Sequence, residues 1–297
     1  MASKSDSIES ILQSRIQYEN ICKMCYSAFP TSTDVHHTST LIETYDGNDV
    51  GFHHFLNEKA VAATSPQPAV LYFHGGGMIA GSVGGFTPLI AYYASLSGIS
   101  FFAVDYRLAP ENPAPTGVED GYSGLIFLVK HAMQWNVDPS RICLMGDSAG
   151  GLVAAACALL ARDRELVPKV AMQLLIYPML DDRTTLPADA PLWPFLSYKP
   201  ADNAAAWAAF LQDKGATAYT VPAKAEDLTG LPRAYVEVGG FDLFFKEDLD
   251  YATRLAEAGV EVELRAWPRL PHGFDLAFGD PATTRAINSR MNALASL

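Results

Sequence analysis

Residues 141–151 read RICLMGDSAGG, an apolar run that breaks into Gly146-Asp147-Ser148-Ala149-Gly150 and passes straight into the small, apolar stretch LVAAACALLA. A G-x-S-x-G between a strand and a helix sets its serine on a sharp turn, and the glycines either side let neighbouring backbone close in. The helix N-terminus behind it offers free N–H groups and a partial positive charge to a developing oxyanion. Such a serine can attack a carbonyl carbon once a base takes its proton, which is acyl-transfer chemistry. A bare G-x-S-x-G also arises by chance as a simple turn; the flanking strand and helix are what give this one meaning.

The base must be a histidine, and the chain has seven. His36, His37, His53, His54, His74 and His131 all precede Ser148, and only His272, in PRLPHGFD, follows it. Where such a serine turn carries a triad, the chain order is serine, acid, histidine, so His272 is the candidate. The acid orients the imidazole and stabilises its protonated form. Asp242, following Gly239-Gly240-Phe241, is the leading choice, with Asp181 and Asp182 as rivals that equally fit capping or an ion pair with Arg183.

A second glycine cluster stands upstream, in YFHGGGMIAGS at 72–82. No lysine follows it as a phosphate loop requires, and the final glycine of a dinucleotide fingerprint is out of step. Three glycines after a strand can instead donate backbone N–H groups to an oxyanion. The candidate donors are the amides of Gly76, Gly77 and Ala149, which leaves His74 as loop scaffolding.

These residues need elements to hold them. Apolar runs at 41–45, 50–55, 69–73, 99–104, 141–145, 170–177, 233–238 and 260–267 read as eight strands, the first two joined by the turn Asp46-Gly47-Asn48-Asp49. Helical spacing marks residues 5–29 (Ile8, Ile11, Leu12, Ile16, Ile21, Met24, Cys25), then 88–97, 117–134, 148–162, 246–258 and 282–297. Strands apolar on both faces, alternating with helices, predict a mostly parallel sheet covered on both sides, with the first hairpin as the antiparallel exception. The Pro-, Ala- and aromatic-rich stretch 183–227 breaks the rhythm and reads as an excursion plus a helix lying over the ligand crevice.

Bulk composition excludes several classes. With 33 acidic against 21 basic residues the formal charge is −12, which disfavours nucleic acid and anionic membranes as partners. The longest apolar run, 152–161, is far short of the roughly 20 residues that span a bilayer. MASKSDSIES lacks a signal-peptide pattern, and four cysteines without a disulfide framework fit a reducing compartment, so a cytoplasmic protein is expected. Cys22 and Cys25 form a C-x-x-C without a second ligand pair or a preceding strand, and read as packing residues. Nothing calls for a metal or organic cofactor.

The ordered set HGGGMIAGS, DYRLAPENPAP, GDSAGG, YPMLDDR, GGFDLFFKED and PHGF, spanning Val70 to Phe274, resembles the hormone-sensitive lipase-like branch of the α/β-hydrolase esterases. That resemblance implies an α/β-hydrolase fold with a mostly parallel eight-stranded sheet and a helical cap. It implies Ser148, Asp242 and His272 as the triad, Gly76, Gly77 and Ala149 as the oxyanion hole, and Glu247 at the family's acidic position. Leu243 stands where the family usually has proline. The cap would comprise N-terminal helices at 1–38 and an insertion at about 183–216 in the 39–297 catalytic domain, and a homodimer is a further expectation. The implied activity is cofactor-free hydrolysis of small carboxylic esters. An apolar pocket could draw on Met78, Ile79, Trp193, Phe195, Trp207, Phe210, Phe244 and Phe245, each of which also fits core or cap packing. An aromatic cap of this kind points to short or medium acyl chains. Acyl transfer, amide or lactone cleavage would use the same residues, and a non-catalytic receptor on this scaffold would be expected to have lost them.

Overall fold

The computed structural model describes residues 4–297, with side chains described from residue 11; Ile8, part of the expected N-terminal apolar stripe, lies outside that range. Eight strands form one sheet: β1 (Val35–Glu43), β2 (Asp49–Asn57), β3 (Gln67–Phe73), β4 (Ser100–Asp105), β5 (Val137–Asp147), β6 (Met172–Ile176), β7 (Arg233–Phe241) and β8 (Val262–Pro271). Their order across the sheet is β1-β2-β4-β3-β5-β6-β7-β8. From β4 to β8 every pairing is parallel, while β2 runs antiparallel to both β1 and β4. The antiparallel exception therefore extends one pairing beyond the expected hairpin.

The helices are α1 (Lys4–Tyr26), α2 (Glu58–Ala62), α3 (Val83–Ser97), α4 (Thr116–His131), α5 (Ala149–Asp163), α6 (Pro200–Leu211), α7 (Phe245–Glu257) and α8 (Pro281–Leu294). One face of the sheet buries Phe52, Leu71, Phe73 and Val236 against Val118 and Leu125 of α4, Val153 of α5 and Leu255 of α7. The opposite face buries Val70, Tyr72 and Met145 against Phe86 and Leu89 of α3, Ile287 of α8 and Tyr26 of α1. Because β3 to β7 are apolar on both faces, each needs helices on two sides, which is why its residues form a doubly covered parallel sheet.

Several boundaries differ from the sequence reading, among them those of β1, α3 and β8. β1 begins at Val35 and pairs along the whole of β2, but residues 36–40 are polar and exposed, so no apolar alternation marks its first half. α3 begins at Val83, with Ser82 as its N-cap accepting the Gly85 amide; Pro88, the expected start, lies inside it. β8 runs on to Pro271, immediately before His272.

The excursion after β6 holds a 3₁₀ turn at Trp193–Phe195, then α6, then a second 3₁₀ turn at Pro222–Lys224. α6 buries Ala206, Trp207 and Phe210 in the same cluster as the sheet face covered by α4, α5 and α7. α6 and α1 both grip the 109–114 segment: Gln212 donates to Pro110 O at 2.8 Å, Phe210 O accepts from Ala114 N at 2.7 Å, and Arg15 donates to Ala109 O at 2.6 Å.

Candidate active site

β5 ends at Asp147 and α5 begins at Ala149, so Ser148 alone makes the turn, with φ 54° and ψ −117°. That strained backbone is held from both sides. Ser148 N donates to Ile176 O at 2.8 Å, and Ser148 O accepts from Leu152 N at 3.2 Å and Met179 N at 2.9 Å. A Cβ on Gly146 would strike the Gly150 backbone, and one on Gly150 would strike the carbonyl of Phe73. Both glycines are therefore required by close packing of the turn on itself and on β3.

Asp242 follows the last residue of β7, and His272 follows the last residue of β8. Because β5 to β8 are parallel, their C-terminal ends share one edge of the sheet, and the three side chains meet there. His272 Nδ1 lies 2.8 Å from Asp242 Oδ2, and Nε2 lies 2.9 Å from Ser148 Oγ. Asp242 is fully buried, and its other oxygen accepts the Phe244 amide at 2.9 Å. With a proton on Nδ1 facing the carboxylate, Nε2 offers a lone pair to the serine hydroxyl. Ser197 Oγ donates to the His272 carbonyl at 2.8 Å, tying the excursion to the histidine loop. The rival acids are engaged elsewhere, Asp181 with Arg183 and Asp182 with Lys224, each at 2.8 Å.

The glycine loop is aimed through its peptide planes. A trans peptide is planar, so fixing its C=O fixes the opposed N–H of the next residue. Gly75 O bonds His74 Nδ1 at 2.8 Å, which sets the Gly76 N–H. Gly76 O accepts Ile79 N at 3.1 Å and Ala80 N at 2.9 Å, which sets the Gly77 N–H. Gly76 itself has φ +126°, where an L side chain would be strained and would meet the Ala80 carbonyl. The pairing of Phe73 with Gly146 brings this loop beside the serine turn and the Ala149 amide.

His74 is buried, stacked 4.3 Å from the Tyr106 ring, and burial pushes its pKa below the usual imidazole value. It works as a neutral Nδ1–H donor to the loop. Cys22 is buried and its thiol is pushed up to about 12, first by burial, which makes it a poor nucleophile.

A buried polar network underlies the site. Tyr72 donates to Asp147, the residue before the serine, and burial pushes Asp147 up to about 7. Tyr177 donates to Asp275, three residues after His272. Asp275 also accepts from Arg290 at 2.8 Å, and Arg290 bonds Glu237 at 2.6 Å. Glu247 accepts the amides of Leu180 (2.7 Å) and Asp181 (3.2 Å), and burial pushes it up to about 8.

Of the expected pocket residues, Met78, Trp207 and Phe210 are buried in the cluster on the α4, α5 and α7 side of the sheet, with Ile79 and Trp193 half-buried against it. Phe195 is half-exposed and stacks on Phe241 at 4.4 Å. Phe244 meets the His272 ring edge-to-face at 5.0 Å, whereas Phe245 packs on the opposite sheet face. Two rings outside the expected pocket set also flank His272, Tyr198 at 5.4 Å and Tyr177 at 4.7 Å. Tyr198 sits inside the aromatic run PLWPFLSYKP, which was the available signal.

Residues 70–276 match the family described as alpha/beta hydrolase fold. The chain belongs to that family. Over 234 residues it is 38% identical to the esterase LipI of Mycobacterium tuberculosis, covering 76% of this chain and 72% of that protein. The carboxylesterase NlhH of the same organism is 36% identical over 236 residues, covering 76% and 73%. Among solved structures, a bacterial heroin esterase superposes with TM-score 0.88 at 30% identity, covering 97% of this chain and 92% of that one. The esterase LipW from Mycobacterium marinum gives 0.78 at 30%, covering 97% and 88%. This α/β hydrolase is thus an enzyme of the hydrolase class, on the hormone-sensitive lipase-like branch. Among the described residues, none of its helices is long and apolar enough to cross a membrane.

Proposed function

We propose that this α/β hydrolase is a serine carboxylesterase that cleaves short- to medium-chain carboxylic esters through an acyl-serine intermediate. The observation that carries the proposal is the unbroken chain from Asp242 through His272 to Ser148, at 2.8 and 2.9 Å, beside the oriented amides of the glycine loop. Ester hydrolysis is supported by the printed names of the relatives, esterase and carboxylesterase.

In this reading Ser148 Oγ attacks the ester carbonyl carbon while its proton passes to His272 Nε2. Asp242 stabilises the imidazolium. The carbonyl oxygen gains charge and is held by the N–H groups of Gly76, Gly77 and Ala149. On collapse, His272 delivers its proton to the departing alkoxide, leaving the acyl group on Ser148. Water then enters, His272 takes one of its protons, the hydroxide attacks the acyl carbon, and that proton returns to Ser148 Oγ as the carboxylic acid leaves and ionises in solvent. The side chains supply nucleophile, base and acid themselves. Tyr198 and Phe244 wall the cleft beside His272 and set the short-acyl preference, and the excursion at 183–216 works with the N-terminal helix as a cap.

The test is covalent. A fluorophosphonate adds its phosphonyl mass to the parent protein at Ser148, and the parent turns over p-nitrophenyl butyrate. Ser148→Ala is expected to do neither. An unlabelled, inactive parent, or a Ser148→Ala variant with full activity, overturns the proposal.

A further inference from the structure

We infer that Arg15, on the N-terminal helix, is a positioning residue for the oxyanion loop, so that seating of α1 sets the turnover of the sheet-borne site. This rests on the role proposed above for the Gly76 and Gly77 amides. The Arg15 guanidinium reaches across to the loop and closes a ring of contacts around it. Its Nε donates to Ile79 O, and its Nη2 donates to Ala109 O at 2.6 Å. Ala109 in turn donates its amide to Met78 O at 2.9 Å. The ring therefore runs Met78, Ile79, Arg15, Ala109 and back to Met78, two consecutive carbonyls of the loop being held from outside.

What this ring restrains is the turn that aims an oxyanion donor. Ile79 N and Ala80 N both bind Gly76 O, and Gly76 O lies in the same peptide plane as Gly77 N–H. Ile79 is thus gripped at its amide by Gly76 and at its carbonyl by Arg15. Releasing the carbonyl frees the turn to rotate, and rotation of that turn tilts the Gly77 N–H away from the developing charge. A misplacement of about 1 Å at such a donor is costly because the interaction is strong only at short, aligned distances.

The same helix holds the far end of the loop. Glu19 accepts from Ser82 Oγ at 2.7 Å, and Ser82 is the N-cap of α3. Two side chains one helical turn apart on α1 therefore clamp residues 79 and 82. The Arg15–Glu111 pair, at 2.6 and 2.7 Å, faces solvent on the Glu111 side and steers the guanidinium without being the part that matters for catalysis. The guanidinium spreads donors on three nitrogens in fixed directions over two carbonyls and a carboxylate, and the single ammonium nitrogen of lysine has no such spread, so lysine is not an equivalent.

The experiment measures kcat and KM on p-nitrophenyl butyrate, and the inhibition constant of a trifluoromethyl ketone, for the parent, Arg15→Ala and Arg15→Lys. The ketone forms a hemiketal with the serine and probes the oxyanion hole directly. Removing the clamp is expected to lower kcat about tenfold, with KM within about twofold, and to weaken the ketone in parallel, as loss of transition-state stabilisation requires. Arg15→Lys is expected to recover part of kcat. Should Arg15→Ala fail to fold, Arg15→Lys carries the test: a fall in kcat of at least about threefold at parental Tm supports the clamp. Parental kcat and ketone affinity in a folded Arg15 variant overturn it. Ser148→Ala is assayed alongside, so that a retained activity there indicts the serine reading, and an inactive Ser148→Ala beside a fully active Arg15→Ala indicts the clamp alone.

Discussion

His272 Nε2 lies 2.9 Å from Ser148 Oγ, joining residues 124 positions apart at the C-terminal edge of one parallel sheet. The bond depends on Asp242 holding the opposite nitrogen, because only that tautomer leaves Nε2 free to accept. Asp242→Asn is expected to lower kcat on the order of 10³- to 10⁴-fold with KM nearly unchanged. Steady-state kinetics on p-nitrophenyl butyrate check this, and a loss under tenfold would speak against Asp242 as the acid.

Gly76→Ala places a methyl group against the Ala80 carbonyl at a backbone angle that L residues avoid. The loop must shift, and the Gly77 amide moves with it. The expected result is a fall in kcat on the order of 10²-fold, the scale of one lost oxyanion donor, together with a lower Tm. Kinetics and thermal melts on the same preparation separate the two effects.

Glu247 gives the fold a pH signature. Its folded-state pKa is raised by burial from 4.5 to about 8, so the folded state keeps a proton that the unfolded chain releases. Its contribution to stability is full below 4.5 and is lost as pH rises through about 8. Glu247→Gln keeps an oxygen for the Leu180 and Asp181 amides and cannot ionise. Relative to this variant, the parent is expected to lose roughly 3 to 5 kcal/mol between pH 5 and pH 9. Urea melts at several pH values test it, and parallel curves would refute it.

Arg290 is completely buried between Glu237 and Asp275. Removing it strands two buried carboxylates, so Arg290→Ala is expected to cost about 3 to 5 kcal/mol. Because Asp275 also takes the Tyr177 hydroxyl and lies just after His272, the histidine loop should loosen as well. Chemical denaturation reads the first effect, and kcat at a temperature where the variant is folded reads the second.

Tyr198 covers His272 from the excursion and approaches the loop at Gly77. Tyr198→Ala is expected to shift the preference in a p-nitrophenyl ester series towards longer acyl chains. An unchanged profile would move the acyl site elsewhere.

Much of the candidate site is legible in the sequence because local patterns carry it. Gly146 and Gly150 mark a turn that tolerates no Cβ, the single histidine after Ser148 leaves one base, and strands apolar on both faces specify a covered parallel sheet. The family resemblance read from HGGG, GDSAGG and PHGF agrees with the family match over residues 70–276. The first half of β1 is not legible in sequence because an edge strand needs no apolar alternation, and the start of α3 at the Ser82 cap is hidden behind Pro88, which also fits a helix start.

Which residue types could do chemistry, and in what order they come, follows from the amino-acid order alone, since turn sterics and apolar periodicity are local properties. Asp242 already leads Asp181 and Asp182 in the sequence, but the 2.8 Å contact of its carboxylate with His272, which depends on which strand lies next to β8, and the ion pairs that occupy the two rivals exist only in the fold. The same holds for Arg15 beside Ile79, Glu19 beside Ser82, and Tyr198 over His272. Each joins segments remote in sequence through side chains that follow no periodic rule, and such contacts exist only once the sheet and its helices have packed.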